Sequence, residues 1–463
     1  MKNFWTHDVP LRIVKLLNIV LITVPFAMCW IWFYSQHTAA LFARNAQTYV
    51  IILYAILYAW LGRVYDAFLV SYNRLSEMVF SQMLAAMVAD GILYVIICFL
   101  CKSAQPIWPG LLAIVGQAAI AVVWSIAAHN WYFWKFPPKT AYIVYDKREG
   151  LESMLDHYSL VRKFKVTKTM TADEVVNDLS LLDGAEDVFL SGVHSHDRNV
   201  IIKHCVAVGI HALVIPRIGD VIMSGAREMH IMHLPVLGVS RYRPDPEYRI
   251  FKRILDIVIS LLVLIIFSPV MLITAIAVRS DGGPVFYKQK RLTRNRAEFD
   301  VIKFRSMRVD AEKDGVARLS AGDNDDRVTK VGRIIRKYRI DELPQLLNVL
   351  KGEMSIVGPR PERPEIAEQY EKELPEFALR LQCKAGLTGY AQVYGKYNTS
   401  PYDKLMMDLM YIAKPDLITD LRIVLATIKI LFMPESTEGV QEGQETALKT
   451  SAGAVKEESS DRP

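Results

Sequence analysis

Four long stretches that are almost free of charged side chains occupy the first 135 residues, and they constrain the fold more than any other feature. The stretches cover residues 16–43, 45–62, 78–101 and 103–134, and Asp90 is the one Asp, Glu, Lys or Arg inside them. A helix needs about 20 mostly apolar residues to cross the hydrocarbon core of a bilayer. We therefore predict four transmembrane helices in this part of the chain.

Basic residues are unevenly distributed over the segments that flank these stretches. Two of the connecting loops hold only Arg44 and Lys102, whereas the N-terminal segment, the second loop and the segment after residue 134 are richer in lysine and arginine. Cytoplasmic loops carry the excess of positive charge in membrane proteins. We therefore predict that both ends of the membrane region, and everything after residue 135, lie in the cytoplasm. The residues that give this orientation are Lys2, Arg12, Lys15, Arg63, Arg74, Lys135 and Lys139.

A fifth uncharged stretch, residues 257–278, is also long enough to span a bilayer. Ser268 and Pro269 lie at its middle, and proline removes a backbone hydrogen bond and bends a helix. Both flanks are basic, so a spanning helix would export one basic flank. The favoured interpretation is a re-entrant helix over residues 254–278 that is broken at Ser268 and Pro269. A kinked spanning helix is the alternative.

Composition shows that the chain combines membrane and water-soluble segments. Charged residues make up 22% of the sequence and the mean hydropathy is +0.18, which suits neither a wholly soluble nor a wholly membrane-embedded chain. The net charge of +6 favours an anionic partner such as a lipid headgroup, a phosphate or a nucleic acid. We predict a four-helix membrane domain at 1–135, a Rossmann-like α/β domain at 136–245, a mixed α/β domain at 246–434 and a disordered acidic tail at 435–463.

The segment after the fourth stretch alternates between apolar strand patterns and helical patterns. We predict strands at 141–146, 187–191, 211–216 and 234–239, with helices near 172–182 and 197–208. Such alternation is typical of a small parallel α/β sheet. A dinucleotide-binding domain would carry a G-x-G-x-x-G motif after its first strand, and this segment has only Gly150 there. We therefore predict a regulatory or assembly module without a bound dinucleotide.

The candidate chemistry lies around the adjacent carboxylates Asp341 and Glu342. Because Pro344 follows closely, Asp341 is well placed to cap a helix, which is the ordinary interpretation of this pattern. The other interpretation rests on Arg336 and Arg339, which could hold a diphosphate beside the acidic pair, with the positive helix end favouring an ionised carboxylate. An ionised aspartate can attack phosphorus and form an acyl phosphate, and an adjacent glutamate can hold Mg²⁺.

Five motifs in the C-terminal half resemble those of the bacterial sugar transferases, the monotopic phosphoglycosyl transferases. Four membrane stretches followed by an α/β segment resemble the large members, the undecaprenyl-phosphate galactose or glucose phosphotransferases. One departure is Tyr390, which stands where many members have tryptophan. The motifs are FYKQKR at 286–291, KFRSM at 303–307, RKYRIDELPQL at 336–346, MSIVGPRPE at 354–362 and GLTG at 386–389.

The resemblance implies a reaction and its partners. A UDP-hexose, galactose or glucose, donates its sugar phosphate to undecaprenyl phosphate, and UMP is released. This is the first membrane step in the synthesis of an exopolysaccharide, a capsule or an O-antigen. The resemblance also implies Mg²⁺ as cofactor, membrane lipids and no nucleic acid as partners, and the bacterial inner membrane as location, with the catalytic domain on the cytoplasmic face. A homodimer is a further expectation.

The resemblance assigns roles to residues that match the family motifs. Asp341 is the nucleophile that takes the sugar phosphate covalently, and Glu342 is the magnesium ligand. The segment Pro359, Arg360 and Pro361 contacts the uridine nucleotide. More loosely, the resemblance assigns phosphate groups of the substrates to Lys303, Arg305 and Arg336.

Two other functions remain open from the residues alone. The first is a membrane glycosyltransferase that moves the sugar without its phosphate and releases UDP, with Asp341 as base or metal ligand. The second is a membrane-anchored sensor with no catalytic activity. Residues 246–434 would retain the chemistry on their own if the phosphotransferase interpretation is right, and would have none if the protein is a sensor.

Overall fold

A computed structural model describes residues 8–37, 46–146, 148–149, 151–152, 155, 160–280, 282–308, 327–395, 400–431 and 449–450. The end of the first predicted membrane stretch lies outside these residues, as does the predicted acidic tail apart from Lys449 and Thr450. The chain forms two compact units. One consists of Met1–Tyr142, Leu155–Lys168 and Gly184–Asp187, and the other of Ile143–Met154, Thr169–Asp183 and Val188–Pro463.

Long apolar helices make up most of the first unit. Among the described residues, four helices of this unit are long and apolar enough to cross a membrane, and a fifth such helix lies in the second unit. The first helix begins earlier than the sequence predicts, so that Arg12 and Lys15 lie within it, and π-helical and 3₁₀ turns extend it from Trp30 to His37. The four helices are α1 (Val9–Cys29), α2 (Ala46–Val64), α3 (Leu75–Cys101) and α4 (Trp108–Lys135).

Hydrogen-bonded polar side chains lie inside this helical unit. Asn18 donates to Gln82 at 2.9 Å and accepts from Tyr58 at 2.8 Å, and Gln82 donates to Ser125 at 3.0 Å. All four of these side chains are fully buried. Such bonds link neighbouring helices in surroundings where water cannot satisfy polar groups. This network therefore ties α1, α2, α3 and α4 together.

A four-stranded sheet follows α4. Its strand order is β3–β1–β4–β5, and three of its strands overlap predicted ones. The strand β3 was not predicted, because lysine and threonine make up most of its sequence, FKVTKTMT, and hide its apolar pattern. The elements are β1 (Lys139–Tyr145), β2 (Arg148–Glu149), β3 (Phe164–Thr171), α5 (Ala172–Asn177), β4 (Asp187–Ser191), α6 (Ser195–Val208), β5 (His211–Val214) and α7 (Ile218–Ser224).

The predicted strand at 234–239 forms, but its placement in the parallel sheet is wrong. It pairs antiparallel with the preceding strand, as β6 (Arg227–Ile231) and β7 (Leu234–Gly238). Met232 and His233 both have positive φ, the geometry of a two-residue hairpin turn whose twist matches antiparallel strands. The local turn therefore determines the pairing of this apolar segment.

The remaining elements form a mixed α/β region around the C-terminal motifs. Two short strands, β10 and β11, pair in parallel, and β8 pairs antiparallel with β9. The elements are α8 (Pro246–Arg279), β8 (Phe286–Leu292), β9 (Glu298–Phe304), α9 (Lys330–Lys337), α10 (Gln345–Lys351), β10 (Ser355–Val357), α11 (Pro364–Glu373), β11 (Gly386–Thr388), α12 (Tyr390–Tyr394), α13 (Pro401–Ala413) and α14 (Leu417–Leu431). A last short strand, β12 (Lys449–Thr450), pairs antiparallel with β2.

A large hydrophobic core lies within this region. Leu346, Val349 and Leu405 are buried at its centre. Ile218 and Val221 of α7 belong to the same core, although they precede the predicted domain boundary at 246. The core therefore extends into the segment that was assigned to the Rossmann-like domain.

Candidate active site

A single 3₁₀ turn, Ile340–Glu342, presents the two adjacent carboxylates. Arg339 precedes it in the left-handed conformation, with φ +52°, and so turns the chain sharply after α9. The predicted capping role of Asp341 is wrong, because α10 begins only after Pro344 and has no side-chain cap hydrogen bond. The Asp341 side chain instead points into the protein and is 9% exposed.

Three cations surround the carboxylate of Glu342. Lys303 Nζ lies 2.8 Å from Oε1, and an Arg360 guanidinium nitrogen lies 3.2 Å from the same oxygen. Arg339 Nη1 lies 3.8 Å from Oε2. Burial alone would raise the pKa of Glu342, but the charges of Lys303, Arg360 and Arg339 together hold the pKa well below its ordinary value. Glu342 is therefore ionised over the whole physiological pH range.

Asp341 has the opposite electrostatic character. Burial, followed by the negative charge of Glu342, raises the pKa of Asp341 to about 6, against the attraction of Lys303, Arg336 and Arg339. The expectation that a helix end would favour its ionised form is wrong for this reason. Two neighbouring carboxylates with pKa values displaced in opposite directions are typical of catalytic sites.

The strand β9 brings two of the predicted phosphate-binding residues towards this turn. Lys303 reaches Glu342, as described above. Arg305 is 6% exposed and donates from Nη2 to the carbonyl of Val278 at 2.9 Å, near the end of α8. Arg305 therefore fixes the end of α8 in this structure, and its contact with a substrate phosphate stays a prediction.

The predicted nucleotide-binding segment, Pro359 to Pro361, follows β10. Arg380 Nη2 donates to the carbonyl of Arg360 at 3.1 Å, and Arg291 Nη1 donates to the carbonyl of Pro361 at 3.2 Å. These two arginines therefore fix the backbone of the segment through its carbonyl groups, while the Arg360 side chain reaches Glu342.

Arg380 is itself held by buried carboxylates. Its guanidinium lies 2.7 Å from Asp408 and 3.4 Å from Glu362, and the Arg380 and Asp408 side chains are 3% and 2% exposed. Sequence reasoning missed Arg380 and Asp408, and it gave no role to Arg291, which ends the FYKQKR motif. The first two lie 28 residues apart, on different elements, and only the fold brings them together.

Close backbone contact explains the glycines of two motifs. Gly358 N donates to the Thr388 carbonyl and Gly386 N donates to the Pro359 carbonyl, both at 2.9 Å. A Cβ atom on Gly386 would collide with the backbone of Gly358, and one on Gly389 would collide with the same residue. The glycines therefore let β10 and β11 approach closely enough to place the segment after Val357.

Both ends of α8 are attached to this same α/β region. Near its start, Asp256 Oδ1 accepts from Ser355 Oγ at 3.1 Å and from the Ile356 amide at 2.9 Å. Near its end, the Val278 carbonyl accepts from Arg305. The middle of α8 has little cover, since Ile265 is 72% exposed.

The predicted break at Ser268 and Pro269 does not interrupt α8. The helix is continuous from Pro246 to Arg279, with Pro269 inside it. Ser268 Oγ donates to the Ile265 carbonyl at 2.8 Å, one turn before the proline. Ser268 and Pro269 therefore lie in an uncovered, apolar part of an unbroken helix.

Metal-binding groups are sparse in the part of the chain that the structure describes. No cluster of three or more His, Cys, Asp or Glu side chains occurs among these residues. The acidic pair nevertheless suits Mg²⁺, which binds through one or two carboxylates together with substrate phosphates and water. A divalent cation would also offset the repulsion between Asp341 and Glu342 that contributes to the raised pKa of Asp341.

The fold and the site together define a membrane protein whose α/β region carries a buried acidic pair enclosed by cations. Sequence comparison agrees with this description, because the family profile described as "Bacterial sugar transferase" matches residues 247–434. The chain is 41% identical over 191 residues to a UDP-glucose:undecaprenyl-phosphate glucose-1-phosphate transferase of Caulobacter vibrioides. That match covers 40% of this chain and 71% of the relative. The chain therefore belongs to the bacterial sugar transferase family.

Two further relatives each match about half of the chain. One is a UDP-N-acetylgalactosamine-undecaprenyl-phosphate N-acetylgalactosaminephosphotransferase of Aeromonas hydrophila, 37% identical over 234 residues, with 50% of this chain and 54% of the relative covered. The other is a UDP-glucose:undecaprenyl-phosphate glucose-1-phosphate transferase of Escherichia coli K12, 40% identical over 212 residues, with 44% of each chain covered. The chain thus matches about half the length of these two relatives.

Proposed function

We propose that this protein transfers a hexose 1-phosphate from a UDP-hexose, galactose or glucose, to undecaprenyl phosphate and releases UMP. This reaction would initiate the synthesis of a surface polysaccharide. The observation that carries the proposal is the buried pair of Asp341 and Glu342, in which cations fix one carboxylate and leave the other with a raised pKa. The names of the relatives, all of which use undecaprenyl phosphate, support the acceptor.

Asp341 is proposed as the nucleophile. Its carboxylate oxygen attacks the phosphorus that bears the sugar, the bond from that phosphorus to the bridging oxygen breaks, and UMP leaves. A phosphate oxygen of undecaprenyl phosphate then attacks the same phosphorus, and the Asp341 carboxylate leaves. An aspartate with a pKa near 6 is mostly ionised at neutral pH and more basic than an ordinary carboxylate, which suits this role.

The surrounding cations would stabilise the charge of the diphosphate. Lys303, Arg339 and Arg360 already lie within 4 Å of Glu342, and the rigid support of the Arg360 backbone keeps that side chain in place. Preorganised positive groups of this kind lower the barrier for transfer at phosphorus. Glu342 would hold Mg²⁺, with Asp341 close by, and the bound ion would neutralise charge on the substrate phosphates.

The helix α8 is proposed to bend at Ser268 and Pro269, and so to enter and leave the membrane by the same face. A helix that crossed the hydrocarbon core would carry its far end about 30 Å from the near surface. Attachment of both the Asp256 end and the Val278 end to one α/β region supports the re-entrant arrangement instead. With the catalytic domain on the cytoplasmic face of the inner membrane, a soluble donor and a lipid acceptor would meet at one depth.

The nucleotide product tests this proposal. Purified protein is incubated with undecaprenyl phosphate, Mg²⁺ and either UDP-galactose, UDP-glucose or UDP-N-acetylgalactosamine, and UMP is separated from UDP. We expect UMP with UDP-galactose or UDP-glucose, and no UMP from Asp341→Asn with any donor. Release of UDP would show transfer of the sugar alone, and no release from any donor would favour a sensor.

A further inference from the structure

A basic cavity lies at one end of the helical unit. Its volume is about 530 Å³, within the usual range for small-molecule sites. Three cations line it, and Asp66 is the one acidic residue among the lining residues. The lining consists of Arg12, Lys15, Gly62, Arg63, Asp66, Phe68 and Leu69.

The three cations come from two helices that pack side by side. Arg12 and Lys15 are three residues apart on α1 and therefore share a face, and Arg63 lies in the last turn of α2. Three cations and one carboxylate give this cavity an excess of positive charge. Asp66 can offset one of these positive charges, so the lining keeps a net positive charge that favours an anionic ligand.

The wall and floor of the cavity are rigidly built. Ala67 N donates to the Gly62 carbonyl at 2.8 Å, and Asn73 Nδ2 donates to the Asp66 carbonyl at 2.8 Å. A side chain at Gly62 would collide with the ring of Phe68, so this loop is tightly packed. Asn18, three residues after Lys15 on α1, belongs to the buried hydrogen-bond network described above. The helices and the loop that carry the three cations are therefore held in place by these hydrogen bonds and contacts.

Apolar side chains next to the cavity remain uncovered. Ile13 and Leu16, which neighbour Arg12 and Lys15 on α1, are each 60% exposed. In a membrane such side chains contact lipid acyl chains. A ligand at this place can therefore put an anionic head in the cavity and hydrocarbon along α1.

We propose that this cavity binds the phosphate of a lipid headgroup. Lysine and arginine at the end of membrane helices attract phosphate-bearing lipids, and three of them around one cavity provide several donors for one phosphate. Bulk anionic phospholipid and a polyprenyl phosphate share this chemistry. The proposal is independent of the chemistry at Asp341.

Lipid binding to the full-length protein in detergent micelles tests the site, with native mass spectrometry as the readout. The probes are phosphatidylglycerol, undecaprenyl phosphate, phosphatidylcholine and inorganic phosphate. The variant is Lys15→Gln with Arg63→Gln, and the matched control is Arg74→Gln, a basic residue next to α3 that does not line the cavity. A second double variant, Lys15→Arg with Arg63→Lys, keeps both charges.

We expect one site that prefers the phosphate-bearing lipids to phosphatidylcholine and weakens about 30-fold when both cations are removed. The control and the charge-keeping variant should bind as the wild type does. Because occupancy is compared between variants, lipid bound elsewhere, including at the active site, cancels. A preference for undecaprenyl phosphate would identify a polyprenyl lipid as the occupant, and equal binding of phosphatidylglycerol would identify bulk lipid.

Two results would overturn the proposal. Unchanged lipid occupancy in the charge-removing variant, with its elution and circular dichroism like those of the wild type, would show that the cations do not form a site. Saturation by inorganic phosphate at the concentration that saturates the lipids would show that the cavity recognises a soluble anion. Neither result would bear on UMP release.

Discussion

Asp341 and Glu342 are neighbours in sequence, yet their environments differ. Three cations surround the Glu342 carboxylate, whereas burial and the charge of Glu342 dominate at Asp341. At the scale of residues, this difference separates a fixed negative group from a group that titrates close to neutrality. Such a separation assigns the two carboxylates different roles.

The pH dependence of UMP release should therefore show one acidic limb. Because the pKa of Asp341 is raised to about 6, its nucleophilic form is lost as the pH falls through that value. We expect kcat/KM to fall about tenfold for each pH unit below about 6 and to be level above it. Glu342 stays ionised across this range. An acidic limb near pH 4 would contradict the burial effect at Asp341.

The motif residues of the site were largely predictable, and its supporting residues were not. Lys303, Glu342 and Arg360 lie in short motifs, and the fold brings their charged groups within 4 Å. Arg380 and Asp408 carry no local pattern, since a buried ion pair between distant elements leaves no periodic signal. The titration behaviour of Asp341 also depends on tertiary burial, which its sequence neighbours do not reveal.

At the scale of elements, too, the sequence predicts local features better than tertiary ones. The strand β4 follows an apolar pattern and has the predicted bounds 187–191. The strand β3 contains many lysine and threonine residues and was missed. The strand β7 was assigned to the wrong sheet, because the turn that precedes it makes it pair with β6. Local pattern therefore predicts which segments are apolar, while turn geometry and packing decide where they pair.

The buried pair of Arg380 and Asp408 should dominate the stability of the loop that carries Arg360. Arg380→Met leaves the Asp408 carboxylate buried without its cation, which costs about 3–5 kcal/mol of unfolding free energy. Lys290→Gln is the matched control, because its ion pair with Glu298 is exposed and should change the unfolding midpoint little. Chemical denaturation measures both, and equal effects would contradict this account.

A double variant separates stability from positioning. Arg380→Met with Asp408→Leu removes both charges and should recover most of the lost stability. The KM for the UDP-sugar should nevertheless stay raised, because no donor holds the Arg360 carbonyl. Full recovery of both the stability and the KM would show that Arg380 has no positioning role.

The path of α8 can be measured with single cysteines in a cysteine-free background. Cysteines replace Glu247 and Ser280 at the two ends of α8, and Ser103 between α3 and α4 serves as the reference for the other face. In oriented vesicles, we expect a membrane-impermeant maleimide to label positions 247 and 280 from one side and position 103 from the opposite side. Labelling of 247 and 280 from opposite sides would show a spanning helix.

At the scale of the whole molecule, the hydrophobic core extends beyond the C-terminal motifs into α7. Ile218 and Val221 are 8% and 3% exposed in this core. A fragment 246–434 lacks them, whereas a fragment 216–434 retains them. We expect the shorter fragment to be less stable by about 3–5 kcal/mol, from the loss of two buried aliphatic side chains. Equal thermal midpoints for the two fragments would contradict this.

The fragment 216–434 should retain the transferase activity. Its residues include the acidic pair, the cations around it and both attachments of α8. The family profile matches residues 247–434, which lie within this fragment. Release of UMP by residues 216–434 checks this directly.

The covalent intermediate is the central claim, and trapping it is the most direct test. Protein is incubated with the productive UDP-sugar and Mg²⁺ but no lipid acceptor, quenched and digested, and the peptide that contains Asp341 is analysed by mass spectrometry. We predict a hexose phosphate on Asp341, formed together with one equivalent of UMP, that disappears when undecaprenyl phosphate is added. An unmodified Asp341 peptide in enzyme that turns over normally with acceptor would contradict the account.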